Sequence, residues 1–208
     1  MKRLLVMLLM LTLGLPALAQ EDESTPDGLI MVTVREVLAI VKRDKAIVSD
    51  QARLLELVDA RILPHFDFTR MTRLAVGRPW RTATPEQQEA LVREFRAMLV
   101  RTYTKVFSTY PDPEVEVKSA KLLSEDESTV RTIIRVSDGR VVTIDYEMKK
   151  IDNGWKAFDV TVEGISLVTS YRGSFADEIK QVGIDGLIKT LSEKNREASD
   201  VASARKKG

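Results

Sequence analysis

The 208 residues hold 32 Lys and Arg against 31 Asp and Glu, with a single His and no Cys. No disulfide framework, thiol nucleophile or thiolate metal site can be built from such a chain, and no cysteine exists to carry a lipid anchor. The near-neutral balance argues against a polyanionic partner, so no nucleic acid is expected.

Met1-Lys2-Arg3 is basic, residues 4–15 are an almost unbroken apolar run, and Pro16 precedes Ala17-Leu18-Ala19. This order predicts a signal peptide over residues 1–19, cleavage before Gln20 and secretion of the mature chain. The run is too short for a bilayer-spanning helix, which needs roughly 20 apolar residues. Residues 20–195 are then expected to form one domain. Residues 196–208 end in Arg205-Lys206-Lys207, lack periodicity and are expected to be a disordered polar tail.

Residues 20–28 are polar and read as a flexible leader. Over residues 29–48, Ile30, Val34, Val37, Leu38 and Val41 recur every three or four positions, which predicts an amphipathic helix. A second helix starts with Ser49 or Asp50 as N-cap, carries Leu54, Leu55, Leu57, Val58 and Ile62, and stops before Pro64. Residues 65–68 connect it to a short helix over 69–76, which Gly77 ends. Thr84-Pro85-Glu86-Gln87 marks the next start, with a hydroxyl at the N-cap, Pro at the first helical position and Gln three residues after the cap. That helix runs to Tyr110 with Leu91, Phe95, Met98, Leu99, Tyr103, Val106 and Tyr110 on one stripe, before Pro111 and Pro113 break it.

Beyond Pro113 the period falls to two. Val115 and Val117 alternate with charges, then Val130, Thr132, Ile134 and Val136 do so, and Asp138-Gly139 supplies a hairpin turn. The next strand sets Val142, Ile144, Tyr146 and Met148 against Thr143, Asp145, Glu147 and Lys149. After Asp152-Asn153-Gly154 a fourth strand sets Phe158, Val160 and Val162 against Trp155, Ala157, Asp159 and Thr161, with a bulge or bend at Gly164. Two helices, over 169–182 and 184–195, flank Gly183. The predicted fold class is α+β: a helical layer on the apolar face of a curved antiparallel sheet of about four strands. Such layers close on a dry core or enclose an apolar cavity, and periodicity alone does not separate the two.

Catalytic signatures are missing. His65 has no second His or Cys to complete a zinc site, no Gly-x-Ser-x-Gly elbow is present, and neither glycine-rich phosphate loop occurs. Asp145, Asp159 and Glu163 are the one carboxylate group in reach of acid and base work, but the alternation puts the first two on the solvent face. No enzyme, cofactor or metal is expected.

Several separated blocks resemble a known family. Leu57-Val58-Asp59 through Ile62-Leu63-Pro64, Gly77-x-x-Trp80, Ala83-Thr84-Pro85-Glu86-Gln87, Phe95 and Tyr103 are similar to the helical half of the MlaC, or toluene-tolerance, family of periplasmic phospholipid-binding proteins. The second half agrees through Asn153-Gly154-Trp155-Lys156-Ala157-Phe158-Asp159-Val160, Glu163-Gly164-Ile165-Ser166-Leu167-Val168, Tyr171-Arg172-x-x-Phe175, Gly183-Ile184-Asp185-Gly186-Leu187 and Leu191. The resemblance implies a non-enzymatic carrier with a phospholipid ligand. It would move that lipid between an outer-membrane lipoprotein complex and an inner-membrane ABC transporter with its substrate-binding ring protein, maintaining outer-membrane lipid asymmetry. It also turns the apolar face from plain core into candidate lipid-binding residues: Leu99, Tyr103, Ile134, Val142, Ile144, Tyr146, Met148, Phe158, Val160 and Val162. A hopanoid or other polycyclic lipid fits the same reading, and an adaptor holding a partner peptide in an apolar groove is the alternative of another class. An enzyme with Asp159 turned inward, as in ketosteroid-isomerase-like domains, would contradict the alternation. Arg70, Arg73, Arg78 and Arg81 form a basic cluster that is a candidate docking or headgroup contact.

Overall fold

Thr25 does near the start of the chain what Thr84 does further on: each hydroxyl caps a helix whose first residue is proline. In the computed structural model, which describes residues 22–109, 112–152 and 154–205, helix α1 therefore begins at Pro26 and spans Pro26–Arg43. The leader ends earlier than its polar composition suggests. Asp44, at φ −133°, closes α1 and caps a short 3-10 turn over Lys45–Val48, so the expected single helix to residue 48 is two pieces. The signal peptide and its cleavage site, Tyr110, Pro111 and Asn153 lie outside the described residues.

Asp50 caps α2 (Gln51–Arg61), accepting from the Ala52 and Arg53 amides, and Asp67 caps α3 (Phe68–Val76) through the Arg70 amide. Gly77, at φ +71° and ψ −134°, ends α3 in backbone territory that is essentially glycine's alone, and Arg78–Arg81 turn once as a 3-10 helix. Helix α4 (Pro85–Thr109) opens on a reciprocal capping box. Gln87 N–H donates to Thr84 Oγ1 at 3.2 Å, and Thr84 N–H donates to Gln87 Oε1 at 3.0 Å.

The sheet follows: β1 (Glu114–Val117), β2 (Lys121–Leu122), β3 (Glu127–Arg135), β4 (Val141–Ile151), β5 (Gly154–Val162) and β6 (Ile165–Ser166). It is open and antiparallel in the order β1-β3-β4-β5-β6, with β2 also paired to β3. The four strands expected are the long ones, and β2 and β6 add two residues each.

One register matters for everything that follows. Met148 pairs with Ala157 while Glu147 pairs with Asp159, so Phe158 is an extra residue at a bulge. The bulge corrects the expected alternation in β5. Trp155 and Ala157, read as outward, share the face of Met148 and are buried.

Helix α5 (Leu167–Arg205) is broken only at Gly183, where φ +75° and ψ −179° are non-helical, so the two expected helices are present as halves of one element. The tail expected to be disordered is helical as far as Arg205. From Leu187 to Arg205 the sequence offers no Gly or Pro to stop it and several strong helix formers to continue it. Among the described residues no helix is long and apolar enough to cross a membrane.

Among the described residues the buried apolar side chains group into three clusters, the first two sharing Phe66 at their margin. The largest joins α3, α4 and α5 around Met71, Leu91, Phe95, Phe175 and Leu187. A second sets Leu29 and Ile30 of α1 on Val130, Met148, Trp155 and Ala157 of the sheet. The third holds Val37 and Val41 of α1 against Ile47, Val48 and Leu57, with Phe107 of α4 packed on it.

Candidate functional site: an apolar tract on one face of the sheet

Directly paired residues of antiparallel strands share a face, and the register assembles one apolar surface from three strands. Ile134 pairs with Val142, Thr132 with Ile144 and Val130 with Tyr146. Ile144 in turn pairs with Val162, and Tyr146 with Val160. Ile134, Val142, Ile144, Tyr146, Val160 and Val162 therefore lie side by side, as their period of two required.

Burial divides the ten predicted residues. Ile134, Val142, Ile144 and Val162 are only half-buried and lie outside all three packed clusters. Val160 is buried and also outside them, while Tyr146 packs partly against the α1 cluster. Met148, Leu99 and Phe158 are placed otherwise. Met148 is fully buried under α1, and Leu99 and Phe158 are packed into the α3–α4–α5 cluster. The bulge explains Phe158, which is turned under the Arg70 guanidinium with 3.8 Å from Cζ to the ring centroid.

Tyr103 stands apart from the sheet, on α4, and 37% of it is exposed. Its hydroxyl meets that of Tyr171 on α5, and burial together with this partner pushes the Tyr103 pKa up to about 12. The Tyr171 ring is set edge-on to Phe95 at 5.2 Å, and Phe95 is edge-on to Phe175 at 5.1 Å. The pair thus ties an amphipathic edge of α4 to the aromatic centre of the largest cluster. Tyr146 is also pushed up by burial, partly offset by the nearby Thr132 hydroxyl. Thr132 Oγ1, fully buried on the tract face, has no hydrogen-bond partner of normal geometry even so. Its place on that face was legible from its spacing, but its lack of a partner was not.

Of the three carboxylates named from the sequence, Asp145 and Asp159 are committed to other partners. Asp145 accepts from Nε and Nη2 of Arg131, at 2.6 and 2.8 Å, which holds its carboxyl below the usual range. Asp159 was expected on the solvent face and is buried instead. Its Oδ1 accepts from the Val160 amide at 2.7 Å and the Val168 amide at 3.1 Å, and its Oδ2 from the Ser166 hydroxyl at 2.5 Å. It anchors the start of α5 to β5. Glu163, at φ +49°, shares the tight β5–β6 turn with Gly164. His65 is half-buried in a 3-10 turn, and burial lowers its pKa. Among the described residues no group of three or more His, Cys, Asp or Glu is arranged to hold a metal.

The basic cluster also separates. Arg70 is held inside the fold, on the Phe158 ring and 3.1 Å from Glu127, while Arg73, Arg78 and Arg81 are exposed.

Known proteins share this arrangement. A phospholipid-binding protein from Ralstonia solanacearum, solved in complex with a phospholipid at 1.53 Å resolution, superposes with a TM-score of 0.76 at 32% sequence identity, covering 86% of this chain and 99% of that one. The toluene tolerance protein ttg2D of Pseudomonas putida is 27% identical over 186 residues, 88% of this chain and 86% of that protein. The intermembrane phospholipid transport system binding protein MlaC of Haemophilus influenzae is 19% identical over 176 residues, 82% of each. The MlaC protein family model matches residues 32–193, from α1 through the sheet and past the Gly183 break, and this chain belongs to that family.

Proposed function

We propose that this chain is a periplasmic phospholipid carrier that seats acyl chains on the sheet tract of Ile134, Val142, Ile144, Tyr146, Val160 and Val162. The observation that carries the reading is the state of that tract: contiguous apolar side chains of which Ile134, Val142, Ile144 and Val162 are half-buried and belong to none of the three clusters, with Val160 buried beside them and Tyr146 at the margin of the α1 cluster. Covering such a surface with lipid tails is favourable, since each methylene taken from water contributes about 0.8 kcal/mol. On α4 and α5, away from the tract itself, Tyr103 and Tyr171 offer paired hydroxyls to the polar end of the ligand. The relatives described by name as phospholipid-binding or phospholipid-transporting support the same ligand class.

In this reading residues 1–19 are a signal peptide removed on export, and residues 20–195 act as one domain. The carrier moves phospholipid between an outer-membrane lipoprotein complex and an inner-membrane ABC transporter with its ring protein, and so maintains outer-membrane asymmetry. No chemical step is assigned to it, because its one buried carboxylate on the sheet, Asp159, is used up in anchoring α5.

Uptake of a fluorescently labelled phosphatidylethanolamine from vesicles tests the seat. The wild-type protein is expected to extract the probe, and Ile144→Asp, which puts a charge in the middle of the tract, to lower uptake about tenfold or more with circular dichroism unchanged. Uptake that ignores this substitution in a folded protein would place the lipid elsewhere.

A further inference from the structure

The stretch from Phe68 to Pro85 contains Arg70, Arg73, Arg78 and Arg81 and no acidic residue. With Arg70 occupied inside the fold, three remain on the surface, and α5 brings a fourth to them. The Arg172 guanidinium lies over Gly77, its Nε 3.5 Å and its Nη2 3.9 Å from the point a Cβ at that glycine would occupy. Arg73 is one helical turn before Gly77, whose N–H donates to the Arg73 carbonyl at 3.0 Å. Arg78 follows Gly77 directly, and Arg81 sits three residues on in a 3-10 turn, where positions i and i+3 eclipse. All four are exposed, and none forms an ion pair with an acid among the described residues.

That contrasts with the rest of the helical half. Arg53 pairs with Asp44, Arg61 with Glu36, Arg93 with Glu94 and Arg96 with Asp59, while Arg101 donates to Asn195. Four arginines without an ion pair among the described residues thus gather at one place, whereas others such as Arg43 at the end of α1 and Arg196 on α5 are scattered, on a chain whose net charge is near zero.

We propose that Arg73, Arg78, Arg81 and Arg172 form a docking surface for a carboxylate-rich face of a partner protein. Three features favour that occupant. No lysine occurs between Lys45 and Lys105, so this surface is built only from the planar guanidinium fork that takes carboxylates in bidentate fashion, as Arg131 takes Asp145 here. The four sit on α3, a 3-10 turn and α5, held by packed elements rather than by a flexible tail. A bilayer is gripped by basic residues mixed with inserted apolar ones, yet no large exposed apolar side chain falls between Phe68 and Pro85, and those nearest to Arg172 in the chain, Ile165 and Val182, are seven and ten residues away.

The proposal rests on the carrier reading, which requires the protein to meet membrane-bound complexes. Its test is interferometry of the purified protein against the periplasmic part of the ring protein, the outer-membrane lipoprotein complex and vesicles containing phosphatidylglycerol, with bound lipid measured in parallel. The wild-type protein is expected to bind at least one protein complex with an affinity that falls as salt rises. Arg78→Glu/Arg172→Glu is expected to weaken it about tenfold or more at unchanged lipid content, and Lys42→Glu/Lys150→Glu, an equal charge change elsewhere, to leave it alone. Equal weakening by both double variants, or by neither, overturns the surface. So does arginine-dependent binding to vesicles with none to either complex. A wild-type protein that carries lipid but docks on neither complex removes the docking surface and spares the lipid seat. One that docks through these arginines but carries no lipid does the reverse.

Discussion

At the residue scale the most testable environment is that of Tyr103. Its phenol is held neutral by burial and by the Tyr171 hydroxyl, with a pKa raised from 10.0 to about 12. Because the folded value lies above the unfolded one, this contribution to stability is fully present below pH 10 and is lost as pH rises through about 12. Phenolate absorbance from neutral to strongly alkaline pH is expected to lose part of its late-titrating amplitude in Tyr103→Phe, the remainder belonging to Tyr146, whose pKa burial also raises; no change in that amplitude would deny the contact. Asp159 gives a second check. Replacing it by Ala leaves the Val160 and Val168 amides without an acceptor in a buried place, which is expected to cost about 2–3 kcal/mol in urea unfolding. A cost near zero would mean that α5 is anchored by packing alone. The environments of these two residues were not legible beforehand. Tyr103 was visible as part of the α4 stripe, but its partner comes from a helix almost seventy residues away, and Asp159, still opposite the tract beside Glu147, is buried because Ser166 and the start of α5 fold over it.

Elements were legible where a local chemical device marks them. The capping box at Thr84 and Gln87 forms as its spacing demands, and Thr84→Ala is expected to lower stability by about 1 kcal/mol without altering bound lipid, as thermal unfolding and lipid extraction would show. The same Thr-Pro signature at Thr25 and Pro26 opens α1, although the polar residues around it suggested a leader. Two boundaries had no local mark. The β5 bulge depends on how β4 and β5 settle their register against α1 and Phe66, whose backbone bridges to Ala157. The continuation of α5 to Arg205 follows from the lack of any stop signal, which a composition rich in charge disguised as disorder. Gly183 was the readable feature there, since its φ of +75° interrupts a helix at a residue that tolerates it.

On the scale of the whole molecule, period marks the apolar face and register shows which side chains share it, but only packing separates the buried residues from the partly open ones. Met148, Leu99 and Phe158 had the right periodicity and are taken up by core, whereas Ile134, Val142, Ile144 and Val162 are left partly open. That division depends on helices placed from distant parts of the chain, which a pattern of two or 3.6 does not encode. The central claim is that lipid fills the space those helices leave. Native mass spectrometry with lipid extraction, on protein purified without detergent from a bacterial periplasm, tests it most directly. The expected result is a complex carrying stoichiometric phospholipid, lost in Ile144→Asp; a mass equal to the bare chain, or a bound peptide in place of lipid, would contradict it.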